Sequence, residues 1–179
     1  MKKRYGMAVD TRRCVGCNAC VIACKTENGV PNGGFRDWIT TDVQGVFPNL
    51  SMEIRSERCN HCSKPSCVDA CPTGASHVND GGIVGVDRSK CTGCKACIAA
   101  CPYDARYLHP QGFVDKCTFC LHLVKQGRLP ACVTICPTKA LTFGDLGDAE
   151  SPLSILVNSR RHKVLKPESG NQPNIFFLT

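Results

Sequence analysis

Apolar residues along this chain come in short runs, and each run leads into a cluster of cysteines. Four of them, Tyr5–Asp10, 52–56, 83–87 and 112–115, read as β-strands. Residues 75–78 and 83–86 flank Asn79-Asp80-Gly81-Gly82 and predict a hairpin. Residues 106–108 and 113–115 flank Pro110-Gln111-Gly112 and predict another. No stretch approaches the roughly eighteen consecutive apolar residues of a membrane span. With 16 glycines and 11 prolines multiplying turns, the pattern predicts an α+β chain of short helices and β-hairpins with few regular elements.

Two segments fall outside this rhythm. Residues 26–50, with Pro31, Gly33, Gly34 and Pro48, read as a long connection with a contact or covering role. Trp38 within it either packs over a buried site, docks a partner or anchors the loop. Residues 141–179 hold no cysteine and end in Ile175-Phe176-Phe177-Leu178. They read either as an extended C-terminal arm laid on another protein or as a terminal strand pairing within this one.

The sixteen cysteines change the picture most, because they fall into four quartets. The quartets are Cys14, Cys17, Cys20, Cys24; Cys59, Cys62, Cys67, Cys71; Cys91, Cys94, Cys97, Cys101; and Cys117, Cys120, Cys132, Cys136. The first and third have the C-x2-C-x2-C-x3-C spacing with which bacterial ferredoxins hold 4Fe–4S cubanes. Three thiolates on a tight loop wrap one cluster, with Gly16 and Gly93 easing the backbone turn. The third cysteine opens a helix, so the fourth lies about 6 Å further along and serves a neighbouring cluster. Pro72, Pro102 and Pro137 stop the helix after three of the quartets. Lys25 takes that place in the first, so its helix runs on to Thr26.

Two other uses of cysteine compete. A disulfide framework gains little from clustering every cysteine at two- and three-residue spacing. Structural zinc is the stronger competitor, since Cys117, Cys120, Cys132 and Cys136 taken alone pass for a four-thiolate site. Beside three tighter quartets the fourth reads as a ferredoxin motif with residues 121–131 inserted. The 42% hydrophobic content includes those cysteines, and there are only one Trp and three Tyr. A core this thin makes metal binding a large part of the folding free energy.

The formal charge of +7 points first to nucleic acid or anionic lipid. Four oxidised cubanes with their thiolates contribute about −8, which brings the loaded chain near −1 and removes that reason to expect nucleic acid. Arg12, Arg13, Lys25, Lys90, Lys95 and Lys116 sit beside the ligands, either offsetting cluster charge or forming ordinary solvated surface. The start, Met1-Lys2-Lys3-Arg4-Tyr5-Gly6-Met7, carries basic residues without the apolar region of a signal peptide. The expectation is a chain that enters no membrane unaided, with export in folded form beside a signal-bearing partner left open.

No catalytic constellation emerges. Every quartet is complete, so no iron is left open to a substrate, and there is no P-loop and no G-x-G-x-x-G opening a helix. The five histidines are scattered; His61, inside Cys59-x2-Cys62, is the one placed to tune a cluster by a hydrogen bond.

Gly6-Met7-Ala8-Val9-Asp10, Cys14-Val15-Gly16-Cys17-Asn18-Ala19-Cys20, Cys59-Asn60-His61-Cys62, Cys71-Pro72-Thr73-Gly74-Ala75, Cys101-Pro102-Tyr103-Asp104-Ala105-Arg106-Tyr107 and Cys117-Thr118-Phe119-Cys120 together carry a family resemblance. The chain resembles the four-cluster iron–sulfur subunit of molybdopterin oxidoreductases of the dimethyl sulfoxide reductase family. Within that family it is most similar to the polysulfide and thiosulfate reductase kind, Thr142-Phe143-Gly144-Asp145-Leu146 included.

The resemblance implies two bacterial-ferredoxin-like modules with nested pairing. Residues 1–50 with 110–145 form one, residues 51–109 the other, and 146–179 the arm. Cys14, Cys17 and Cys20 would share a cube with Cys136, and Cys117, Cys120 and Cys132 with Cys24. Cys59, Cys62 and Cys67 would take Cys101, and Cys91, Cys94 and Cys97 would take Cys71. It implies four 4Fe–4S clusters in a non-catalytic electron-transfer subunit with no direct small-molecule substrate. Its partners would be a large molybdopterin subunit holding molybdenum or tungsten and an integral membrane quinone-binding subunit. The complex would sit peripherally on a membrane, at the periplasmic face by co-export or at the cytoplasmic face. A free cytosolic polyferredoxin serving hydrogenase or formate dehydrogenase is the alternative.

Overall fold

The computed structural model describes residues 3–179, so Met1 and Lys2 of the basic start lie outside the described residues. Strand β1 (Tyr5–Asp10) is the centre of the one larger sheet. Helix α1 (Ala19–Asn28) follows, ended by Gly29 in the left-handed conformation at φ 57°. It runs past Thr26 because neither Lys25 nor anything before Gly29 breaks it. Strands β2 (Asp37–Val46) and β3 (Asn49–Arg58) then form a hairpin. The second and third quartets carry short helices α2 (Ser66–Asp69) and α3 (Ala96–Ala99), which pack on each other.

Each of these helices is followed by one of the two predicted hairpins. In the first, β4 (Ser76–Val78) pairs with β5 (Val84–Val86) around a 3-10 turn at Asp80–Gly82. In the second, β6 (Tyr107–Leu108) pairs with β7 (Val114–Asp115). Helices α4 (Leu121–Val124) and α5 (Ala131–Ile135) belong to the fourth quartet, and α5 packs on α1. Strand β8 (Leu141–Asp145), helix α6 (Pro152–Ser159), strand β9 (His162–Lys163) and strand β10 (Ile175–Leu178) complete the chain.

Residues 26–50 are mostly not a loop. Asp37 to Val46 pair antiparallel with Arg58 to Asn49 without a break. The expected module boundary after residue 50 therefore falls inside a hydrogen-bonded ribbon. Strand β2 escapes sequence reading because its outer half is exposed on both faces and shows no buried alternation. The base of the ribbon is anchored, with Asp37, Ser56 and Arg58 buried and Trp38 and Ile39 packed on the cysteine-rich core. Its tip projects, leaving Val43, Val46, Phe47, Leu50 and Met52 exposed.

The C-terminal segment is not an arm laid elsewhere; its last strand pairs within the chain. The sheet order is β8-β1-β10-β9, with β10 parallel to β1 and β8 antiparallel to it. Both backbone edges of β1 are thus satisfied, and a central strand cannot leave them open without cost. Met7, Val9, Ile175 and Phe177 join the main core with Leu141 and Phe143, while Ala8 and Leu178 pack against Leu153 of α6. Helix α6 begins at a Ser151 cap whose Oγ accepts the Ser154 N–H at 3.1 Å, with Pro152 opening the first turn. Arg160 closes the seam by an ion pair to Asp10 at 2.6 Å. A strand buried on both faces reads as a continuous apolar run, and that is why Ile175-Phe176-Phe177-Leu178 gives no alternation to recognise.

Ile175 is fully buried between β1 and the core. Ile175→Ala should cost about 2–5 kcal/mol, against less than about 0.5 kcal/mol for the exposed Ile155→Ala. Chemical denaturation of the iron-loaded protein under anaerobic conditions measures the difference.

Candidate metal centres

The cysteines of each quartet do not all meet one another. Cys14 and Cys17, in the loop before α1, and Cys20, in its first turn, line one cavity with Cys136 from the end of α5. Cys24, one turn further along α1, lines a separate cavity with Cys117, Cys120 and Cys132. Cys59, Cys62, Cys67 and Cys101 line a third. Of the remaining four, Cys97 is buried against Val84 and Val114 with Cys91 beside it, and the Cys71 and Cys91 charges both push its thiol up, after burial itself. Cys71 and Cys91 are half-buried and Cys94 is exposed. Gly16 and Gly93 take equivalent places in their loops, both at φ 68°, where an L side chain is strained.

These sulfurs frame cavities and do not converge on a point. Among the described residues no three cysteine, histidine or acidic groups could hold a single metal ion. A structural zinc site would gather four sulfurs about 2.3 Å from one centre. The chemistry of the donors fits a polynuclear cluster instead: four soft thiolates around one shared space. Burial pushes the thiol of Cys62 up to about 12 and those of Cys20 and Cys117 to about 11, so loading with metal must displace protons. Burial also raises Cys136, but Thr138 and the Ala140 N–H, 3.3 Å from its sulfur, more than offset that and bring its thiol below the ordinary value.

The buried cations identify what charge the cavities are made for. Arg58, Lys116 and Arg106 are all buried, and each reaches a cysteine or its backbone. Arg58 donates to Cys132 Sγ at 3.0 Å, to Ser56 Oγ, and to Asp37 at 3.2 Å. Ser56 Oγ in turn donates to Asp37 at 2.9 Å and lies 3.4 Å from Cys20 Sγ. The Asp37–Arg58 pair thus stands between the Cys20 and Cys132 cavities. Arg106 donates to Cys67 Sγ at 2.9 Å and to Ser76 Oγ at 2.7 Å. Lys116 donates to the carbonyls of Val84 and, at 2.6 Å, Cys117.

Among the described residues neither Arg106 nor Lys116 has a carboxylate within ion-pair distance, and Arg106 Nε has no partner at all. An uncompensated buried charge costs several kcal/mol. Thiolate-ligated clusters of about −2 in the adjacent cavities supply the missing counter-charge.

Of the six basic residues noted in the sequence, only Lys116 proves buried; Arg12, Arg13, Lys90 and Lys95 face solvent and Lys25 bonds loop carbonyls. Sequence reading missed Arg58 and Arg106. A signal existed for Arg58, because a basic residue directly precedes the first cysteine of every quartet: Arg13, Arg58, Lys90 and Lys116. His61 is fully buried and stacks on Phe119 with ring centroids 3.8 Å apart. Its Nδ1 accepts the Val84 N–H at 3.1 Å, and its other nitrogen touches no sulfur. Burial, with Lys116, Arg106 and Arg58 nearby, holds it neutral. On the far side of α1, Asn28 Nδ2 lies 3.6 Å from Cys120 Sγ and 3.7 Å from Cys24 Sγ. Asn28 is held by Arg36 at 2.9 Å, and Arg36 pairs with Asp115 through two bonds of 2.7 and 2.8 Å.

Thiol-framed cavities linked by buried cations are the architecture of an iron–sulfur electron-transfer protein. The protein belongs to the 4Fe–4S dicluster domain family, whose models match residues 50–146 and residues 13–75, and its cofactors are 4Fe–4S clusters. It is 42% identical to a tetrathionate reductase subunit of Salmonella typhimurium, over 99% of this chain and 73% of that one. It is also 42% identical to a polysulfide reductase chain of Wolinella succinogenes, over 99% and 95% of the two chains. Identity to the thiosulfate reductase electron transfer subunit PhsB of Salmonella typhi is 45%, over 84% and 80%.

Removing one member of the Asp37–Arg58 pair strands the other in the interior. Arg58→Met should destabilise the loaded protein by about 3–5 kcal/mol, and adding Asp37→Asn should restore part of that loss. Anaerobic guanidinium titration followed by circular dichroism reads both values.

Proposed function

We propose that the sixteen cysteines hold four 4Fe–4S cubanes in the nested arrangement, and that the chain links two partner subunits of a respiratory reductase acting on a sulfur compound such as polysulfide or thiosulfate. The observation that carries this reading is the interleaving of the cavities, each lined by three cysteines of one quartet and one of another. On this reading Cys14, Cys17, Cys20 and Cys136 hold the first cluster, and Cys24, Cys117, Cys120 and Cys132 the next. Cys59, Cys62, Cys67 and Cys101 hold the third, and Cys71, Cys91, Cys94 and Cys97 the last.

A bound cubane supplies a one-electron carrier. The chain itself holds adjacent carriers close, keeps water from the inner ones and balances their charge. Arg58 stands between the cavities of Cys20 and Cys132. Cys59 lies near enough to Cys117 for their charges to raise that thiol, behind burial, and so the two inner cavities adjoin. Arg106 bonds Cys67 and also pulls the Cys97 thiol down against burial, which sets it between the last two.

The partners on this reading are a large molybdopterin subunit with molybdenum or tungsten and an integral membrane quinone-binding subunit. The relatives named as reductase components support it. So does exposed apolar surface, at the hairpin tip and around Ile22, Leu129 and Ile135 beside the exposed Cys17, which suits a lasting complex better than a free shuttle. Among the described residues no helix is long and apolar enough to cross a membrane. Attachment is assigned to the partners, at the periplasmic face by co-export or at the cytoplasmic face.

Anaerobic purification from native membranes in mild detergent tests the assignment. About sixteen irons and sixteen sulfides should accompany the chain, together with a molybdenum or tungsten subunit and a hydrophobic one. Recovery as a lone soluble chain would replace it with a free polyferredoxin. Cys94→Ser should convert or remove one cubane and interrupt quinol-linked turnover while three remain visible by EPR; four unaltered clusters would sink the ligand assignment.

A further inference from the structure

We propose that Arg106 and Lys116 make the site of Cys59, Cys62, Cys67 and Cys101 the most easily reduced of the four. The inference rests on the four-cluster reading and adds an order to it. Reduction adds a negative charge to a cluster, so a nearby buried cation favours it and a nearby carboxylate opposes it. Hydrogen bonds to the ligand sulfurs act in the same direction as the cation.

The four sites differ sharply in these terms. At the third site Arg106 donates to Cys67 Sγ at 2.9 Å, and its charge has no carboxylate to cancel it among the described residues. Lys116, equally without a carboxylate, donates to the carbonyl of Val84, which lines this cavity. At the second site Arg58 donates to Cys132, but Asp37 takes up its charge 3.2 Å away, which leaves Lys116, bonded to the Cys117 carbonyl and to no sulfur, as the uncompensated cation there. Arg36, near the same site, is likewise neutralised by Asp115 at 2.7 Å.

The first site has the carboxylate of Asp37 behind Ser56, whose hydroxyl proton goes to Asp37, and its sulfurs receive only the Ala140 N–H and the Thr138 hydroxyl. Arg106 reaches the last through Ser76, whose N–H lies 3.3 Å from Cys71 Sγ, and Cys94 of that site is open to solvent, which screens charge. Among the described residues, only at the third site does one uncompensated buried cation bond a cysteine sulfur with a second beside the same cavity.

The test is an anaerobic redox titration followed by EPR on the purified full chain carrying its clusters. Iron content and the number of signals check the underlying reading: fewer than four clusters would overturn that reading, whatever the order of reduction. With four present, Cys62→Ser should abolish or alter the first signal to appear on reduction, and Cys94→Ser should leave it in place. Arg106→Gln and Lys116→Gln should each move that signal to lower potential at unchanged iron content, with Arg106→Lys recovering most of the shift. Arg36→Gln, which removes an already neutralised cation, should not move it.

The proposal is overturned if the first-reduced signal responds to Cys14→Ser or Cys94→Ser in place of Cys62→Ser. An unmoved signal in Arg106→Gln, or an equal shift in Arg36→Gln, overturns it as well. Should Arg106→Gln lose a cluster, the cysteine variants and Arg106→Lys still decide which site reduces first.

Discussion

Everything in this molecule follows from the need to bury many thiolates, and the clusters they hold, inside a chain of 179 residues. Most small proteins fill their interiors with interdigitating side chains. Here the main core is an alternation of ordinary apolar residues, such as Met7, Phe119 and Ile175, with cysteines that face cavities. Such an interior is complete only when the cavities are filled. Cluster binding is then folding free energy, as it is for small zinc domains.

Buried anionic clusters dictate the next layer of the structure. Arg58, Arg106 and Lys116 would be destabilising in a dry protein interior, and in this one they are the matching charges. The same groups serve two ends, since a cation that lets a cluster be buried also sets how readily it accepts an electron. Asp37 and Asp115 complete the arrangement by neutralising Arg58 and Arg36. The result is a row of sites with unequal surroundings built from one repeated motif.

The sheet has a mechanical role beside this. Pairing β10 with β1 ties the last residues to the first, across the whole length of the cysteine region. Asn174 reaches from that strand to the second quartet, donating to the carbonyl of His61 at 2.7 Å, while its own N–H bonds Asn60. The ribbon of β2 and β3 does the same from the other side, with Ile39 and Ile54 packed over Gly16. Spacing between sites is fixed by these frames and not by the loops that carry the cysteines.

Local spacing alone determined the chemistry. Cysteines with two residues between them on one loop face one space, and a fourth one helical turn further on faces the next, so the spacing itself asks for polynuclear clusters in pairs, and the prolines and hairpin turns beside them act over the same short range. Which cysteine completes which cavity is a different matter. Cys20 and Cys136 line one cavity although more than a hundred residues separate them, and nothing in the spacing of either says so. The four basic residues that precede the quartets make the limit plain. Arg13, Arg58, Lys90 and Lys116 occupy the same local position, yet only Arg58 and Lys116 are buried. Their quartets lie where the inner cavities adjoin and those of Arg13 and Lys90 lie outside, so burial, and with it the strength of each charge, was decided by packing between distant segments.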